Sequence, residues 1–173
     1  KGINVINTPA ASSSSVAELV FAHLFGMVRF LFDSNRQMPM SGDADFKSLK
    51  KSYANGRELA GKTLGIIGFG RIGQEVAKRA IGLGMKVMAH DKFIDEANIT
   101  LDFFNGDKKS FTIETESLKK VLNNSDFITL HVPKIGDKAV IGAEEIGMMK
   151  TGAGIVNAAR GGVIDETALM FAL

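Results

Sequence analysis

The sequence predicts an α/β fold, a doubly wound parallel sheet with helices on both faces. Three observations predict it. Short apolar runs of strand length alternate with amphipathic runs of helix length from residue 63 onward. Residues 63–91, TLGIIGFGRIGQEVAKRAIGLGMKVMAHD, read in order as strand, glycine turn, helix, strand and acid. The chain has 173 residues, 45% of them apolar, enough for one domain with a substantial core.

Taken in order, residues 3–6 read as a short strand and Asn7-Thr8-Pro9 as a break. The serine run 12–15 opens a helix, with Ser15 and Glu18 forming a capping box. That helix is expected over residues 16–33 and is apolar nearly all round, from Val16, Leu19 and Val20 to Phe30, Leu31 and Phe32. Such a helix must be covered on several sides, so it is expected to pack against another subunit or domain. Residues 34–60 are polar and irregular, an arm with one helical stretch at 46–53. His23 is expected to be partly buried in its helix, and His90 to end a strand.

Residues 63–67 are a β-branched apolar run suited to a strand covered on both faces. A helix over 71–83 follows, with Ile72, Val76, Ala80 and Leu83 inward and Gln74, Glu75, Lys78 and Arg79 outward. Gly84 suits its C′ position, and 85–89 form the next strand. Asn105-Gly106 marks a hairpin over 99–113. A three-residue loop, 105–107, sets Leu101 opposite Phe111 and Ile99 opposite Ile113, which keeps apolar residues together. Helices are expected at 115–123, 143–149 and 166–173, and strands at 127–131 and 155–157.

Bulk properties exclude several classes. Lys and Arg number 21 against 19 Asp and Glu, and no basic run or basic-aromatic patch points to nucleic acid. There is no cysteine, hence no disulfide framework and no thiolate metal site; no metal is expected. The apolar stretch 16–32 carries Glu18, His23 and Arg29, which argues against a membrane span. No cleavable leader opens the chain, so a cytoplasmic protein is expected.

The glycine turn carries the chemistry. Gly68 lets the chain leave its strand sharply. Gly70 lets a phosphate approach the backbone, and Gly73 lets the helix pack on the strand. The helix start, with its free N–H groups and positive dipole end, favours an anion. Asp91 lies 18 residues beyond Gly73 (91 − 73) and suits a ribose diol while repelling a 2′-phosphate, which favours NAD. The unit is of Rossmann type.

Six segments then resemble the D-isomer-specific 2-hydroxyacid dehydrogenases, in that family's order: GINVINTP (2–9), SVAE (15–18), ELAGKTLGIIGFGRIGQEVAKRA (58–80), SDFITLHVP (125–133), IGAEEIGMMKTGA (141–153) and IVNAARGGVIDETAL (155–169). The resemblance implies a cofactor domain inserted in a substrate domain. Residues 1–15 would be the junction, 16–60 the interface helix and arm of a homodimer, and 61–173 the NAD-binding domain. It implies Arg160 as the catalytic arginine, able to hold a carboxylate and polarise the adjacent carbonyl. It implies cofactor contacts at Arg71, Ile72, Asp91, His131, Val132, Pro133 and Ala158, beside Gly68, Gly70 and Gly73. The small-molecule substrate implied is a 2-hydroxy or 2-oxo acid, first D-3-phosphoglycerate. Glyoxylate, hydroxypyruvate or D-lactate is the alternative substrate, and a non-catalytic NAD-sensing corepressor the alternative role. The family's catalytic glutamate and histidine fall beyond Leu173. Residues 1–173 are therefore expected to be a fragment that binds NAD weakly and does not turn over alone. Ala10-Ala11-Ser12 stands where the family has Gly-Gly-Asn, and the 99–113 hairpin is expected to be an insertion.

Overall fold

The computed structural model describes residues 2–4, 6–8, 10–134, 136 and 138–173. Its elements are α1 (Ser13–Val28), α2 (Leu31–Tyr53), β1 (Thr63–Ile67), α3 (Arg71–Gly82), β2 (Lys86–His90), β3 (Glu96–Asp102), β4 (Lys108–Glu114), α4 (Leu118–Asn124), β5 (Phe127–Leu130), α5 (Ala143–Gly147), β6 (Gly154–Asn157) and α6 (Glu166–Ala172). Four strands form one parallel sheet in the order β2-β1-β5-β6. The chain passes from β1 to β2 on one side, then crosses back to β5 and β6 on the other. That reversal opens a crevice at the carboxyl ends of β1 and β5.

Alternation along the strands splits the core in two, as a sheet covered on both faces requires. Leu64, Ile66 and Phe127 face Val20, Leu24, Val76 and Ala80 from α1 and α3. Ile67, Ile128 and Leu130 face Leu122, Ile141 and Val163 on the other side. The expected doubly wound sheet is the sheet observed. β1 has the expected bounds, while β2 runs one residue later and β5 stops before His131.

The ends of α3 follow from local chemistry. Gly84 has φ +71°. Its N–H donates to Ile81 O at 3.0 Å, and Met85 N–H donates to Ala80 O at 2.9 Å. This is a Schellman motif, which only a residue tolerant of positive φ closes cheaply. The buried stripe is Gly73, Val76, Ala77 and Ala80. Leu83 is exposed, contrary to expectation, because the motif turns the chain before its side chain reaches the core. Gln74, Glu75, Lys78 and Arg79 are half-buried rather than free in solvent. Glu75 accepts from Lys78 at 2.7 Å and from Arg79 at 2.9 Å, and Arg79 also reaches Ser14 and Glu18 on α1.

Four expectations fail around α1. The helix begins at Ser13, so Ser15 lies inside it and no capping box forms; Glu18 pairs with Arg79 instead, at 3.1 Å. It ends at Val28, where Phe30 adopts φ 54° and the axis bends by 57° into α2. Residues 31–53 are then helical, with Pro39 inside and a kink at Asp45; the helical stretch expected at 46–53 is part of it, but the residues before it were expected to be irregular. His23 is exposed. Among the described residues no single helix is long and apolar enough to cross a membrane; α1 and α2 reach that length and composition only across their bend. The strand expected at 3–6 includes Val5, and the break at 7–9 includes Pro9, both outside the described residues.

The hairpin also differs. Asp102 pairs with Lys108, Ile99 with Phe111 and Ala97 with Ile113, so the loop has five residues and the register is shifted by two from expectation. A shift of two leaves every side chain on its face, so apolar patterning does not separate the two registers. Local polar contacts select the longer loop. Asp107 N–H donates to Asn105 Oδ1 at 3.1 Å, and Phe103 closes the loop through bonds with Gly106 and Asp107, both at 2.9 Å. α4 starts at Leu118, where Ser117 caps it by accepting from Lys120 N–H. α5 ends at Gly147.

The packing separates two apolar positions near the bend. Leu24 is fully buried and Phe32 is 69% exposed. Leu24→Ala is expected to lower unfolding free energy by about 2–5 kcal/mol. Phe32→Ala should change it by no more than about 0.5 kcal/mol at protein concentrations where the chain is monomeric. Urea titrations of the two variants check the contrast.

Candidate functional site

The site lies at the crevice. Gly68, at φ +94°, donates its N–H to His90 O at 2.8 Å. A β-carbon there would lie 2.7 Å from the His131 carbonyl, so β1 and β5 meet at this point only because the residue is glycine. A β-carbon on Gly73 would collide with Gly68 O, whereas one on Gly70 would meet nothing within 4 Å. Gly68 and Gly73 thus serve packing, and Gly70 leaves the backbone open to a ligand. Gly70 is also the N-cap of α3 and offers no side chain to the helix's first N–H groups. An anion approaching there finds both bare amides and the helix dipole.

Phe69 anchors the turn. Its ring is fully buried, its carbonyl accepts from Gln74 Nε2 at 3.0 Å, and its N–H donates to Asp91 Oδ2 at 2.7 Å. Asp91 follows β2, and its other oxygen accepts from Phe93 N–H at 2.9 Å and Ile94 N–H at 3.2 Å. The carboxylate therefore sits in a cage of three backbone donors; Phe93 and Ile94 form the local turn an aspartate favours, and only the bond from Phe69, 22 positions away, is invisible to side-chain pattern.

Beside the turn is a cleft of about 190 Å³ lined by Ile72, His131, Val132, Pro133, Ala158, Ala159 and Arg160. The fold thus gathers Ile72 from α3, three residues after β5 and three after β6. Arg71 is exposed at the start of α3 and borders a different groove, beside Ser14 and Asn98. Arg160 is exposed and forms no ion pair among the described residues. Its loop is pinned by Asn157, whose amide donates to Arg160 O at 2.9 Å and whose Oδ1 accepts from Ala159 N–H at 3.0 Å. Asn157 and Ala159 were not singled out from sequence. An asparagine just before a strand's end loop is a known turn-former and was a readable signal.

His131 differs from Arg160 in kind. Its Nε2 lies 3.0 Å from the hydroxyl of Thr129, a fully buried residue also missed from sequence. Its Nδ1 is buried without a hydrogen-bond partner among the described residues. Burial lowers the His131 pKa from 6.5 to about 4, because the charged ring has lost its water. The ring is neutral at pH 7.

A family profile described as "D-isomer specific 2-hydroxyacid dehydrogenase, NAD binding domain" matches residues 21–173. The chain belongs to that family. It is 43% identical over 98% of its length to a hydroxypyruvate reductase of Thermotoga maritima, of which it covers 50%. It is 42% identical over its whole length to a D-3-phosphoglycerate dehydrogenase of Methanocaldococcus jannaschii, of which it covers 30%. The D-lactate dehydrogenase of Aquifex aeolicus, solved with NAD and lactic acid, superposes on 99% of the chain and 47% of that structure, with TM-score 0.71 and 34% identity. The chain thus spans half or less of these relatives. The family resemblance, the Rossmann-type fold and NAD as the family's cofactor, all expected from sequence, stand.

The burial of His131 carries a pH signature. Above pH 6.5 the ring is neutral in both folded and unfolded chains. Between pH 6.5 and about 4 the unfolded chain binds a proton that the folded one refuses, so stability falls as pH falls through that window. The loss from this residue is at most about 3 kcal/mol. His131→Gln should flatten that part of the stability–pH curve, and an NMR titration of the His131 ring should show a midpoint near 4.

Proposed function

We propose that this chain is the cofactor-binding part of an NAD-dependent dehydrogenase that oxidises a D-2-hydroxy acid to its 2-oxo acid. One observation carries the reading. The glycine turn, the start of α3 and the loop holding Arg160 converge at the carboxyl edge of one parallel sheet, at its topological switch point.

In this reading Gly68, Gly70 and Gly73 shape the pyrophosphate site, and Arg71 and Ile72 add N–H groups to it. Asp91 accepts from the adenosine ribose. His131, Val132 and Pro133 line the cofactor along the end of β5, and Ala158 lies beside its nicotinamide half. When bound, NAD supplies the acceptor for the substrate's C2 hydride. Arg160 is the catalytic residue. Its guanidinium holds the substrate carboxylate in a two-point fork and steadies negative charge developing on the C2 oxygen. Its freedom from any acidic partner among the described residues supports this role. His131 is not assigned proton transfer, since a ring with pKa about 4, tied to Thr129, is poorly matched to base catalysis near neutrality.

D-3-phosphoglycerate is the substrate we favour, which would place the enzyme in serine biosynthesis; glyoxylate, hydroxypyruvate or D-lactate is the second reading. The relatives carry names for phosphoglycerate, hydroxypyruvate and lactate enzymes, so a substrate screen on the full protein separates the readings. We assign residues 1–15 to the junction with a substrate domain and 61–173 to the nucleotide domain. The protein is placed in the cytoplasm as a homodimer through residues 16–33 and 34–60. Exposed Leu19, Met27, Leu31, Phe32 and Phe46 on α1 and α2 support such a partner surface.

Calorimetry tests the cofactor: NAD should bind at least tenfold more tightly than NADP. Arg160→Ala should lower kcat/KM of the full protein by about 10²–10³, chiefly through kcat. Asp91→Ala should act mainly on the KM for NAD. Equal losses in kcat for the two variants contradict the assigned roles.

A further inference from the structure

The Asp91 carboxylate holds more than the expected ribose contact explains. An ionised carboxylate offers about four lone-pair sites. Three are taken by backbone N–H groups: Phe69 on Oδ2, and Phe93 and Ile94 on Oδ1. Phe69 is the middle residue of the glycine turn, 22 positions away in sequence. Phe93 and Ile94 belong to the chain that leaves β2. Asp91 therefore ties the turn that faces a phosphate to the segment that faces a sugar. One lone-pair site remains, on Oδ2, the same oxygen that accepts from Phe69.

We propose that Asp91 is a positioning residue for the phosphate-binding turn as well as a ribose acceptor, so that the two halves of the nucleotide site are coupled through one side chain. This rests on the NAD-binding reading above. The coupling has a direct chemical basis. Charge-assisted bonds to a carboxylate are the stronger class of hydrogen bond, and here three of them fix both oxygens. A carboxylate so held cannot rotate away from a ligand. It offers one acceptor to one ribose hydroxyl, and it stands rigidly against a 2′-phosphate. Loss of its charge weakens the hold on Phe69 N–H, and the turn that presents Gly70 and the start of α3 loosens.

The isosteric variant Asp91→Asn separates this role from simple ribose binding. In the variant one oxygen becomes an NH₂ group, which can only donate. It must face either Phe69 N–H or the Phe93 and Ile94 amides, donor against donor. The probes are ADP and 2′,3′-dideoxy-ADP, which lacks both ribose hydroxyls, measured by calorimetry on the full protein below its melting temperature. If Asp91 positions the turn, Asp91→Asn weakens dideoxy-ADP by about fivefold or more. The amide resonances of residues 68–73 also shift in the free protein, and Phe69 N–H exchanges faster. If Asp91 serves the sugar alone, the variant weakens ADP but leaves dideoxy-ADP affinity and the 68–73 amides unchanged, which overturns the inference. A merely structural role lowers the melting temperature without altering either affinity of the folded protein, and that outcome also overturns it. Failure of wild-type protein to bind ADP or NAD sinks the cofactor reading itself, a different result from either.

Discussion

The structure depends on the close approach of β1, β5 and α3 at one backbone crossing. Gly68 turns out of β1 at φ +94°, with its missing β-carbon directed at the His131 carbonyl. Gly73 lets the first turn of α3 rest on Gly68 O. A side chain at Gly73 would push the helix from the sheet, and one at Gly68 would push apart the ends of β1 and β5. Everything else in the cleft follows from this contact. It brings Ile72 beside the β5 end and Phe69 N–H within reach of Asp91. The cost of placing two flexible glycines in a tight turn is offset by the buried Phe69 ring and by α3 packing beneath α1.

Much of this was legible in the sequence because its causes are local. β1 is a five-residue apolar run, and α3 has a glycine at each end and a 3.6-residue stripe, so short-range chemistry fixes both. The Arg160 loop was located by family resemblance rather than by pattern. What escaped was set by backbone or by long-range contact. The Phe69 amide reaches Asp91 across 22 positions, and no side-chain spacing reveals it. Thr129 reads as one more β-branched strand residue until its hydroxyl is seen against His131 Nε2. The hairpin slipped by two because both registers bury the same side chains.

The α1–α2 break was illegible for a different reason. Phe30 takes a left-handed conformation that bulky residues seldom adopt, and no glycine announces it. The residues after it kept a polar character that reads as loop, yet they form 23 residues of helix with no buried side chain. Few internal contacts account for that helix. Tyr53 donates to Gln37 at 2.8 Å, its ring lies 6.2 Å from Phe30, and Arg36 lies over Phe32 at 5.3 Å. Helices in water gain most of their stability from packing an apolar face. A helix of this length with none packed is one whose stabilising surface lies outside the contacts of this chain alone, which is the physical ground for the dimer proposed above.

The cleft divides its polar groups by solvation. Arg160 stays in water, at the tip of a loop that Asn157 pins from below. His131 gives up its charge by burial, and Asp91 is held by three amide donors. In the reading proposed above, a charged His131 would be a second cation in the cleft and would compete with Arg160 for an anionic substrate. Burying the imidazole against Thr129 removes that competitor at the expense of stability in acid. Among the described residues the arrangement leaves a single cation lining the cleft, and none of their carboxylates pairs with it.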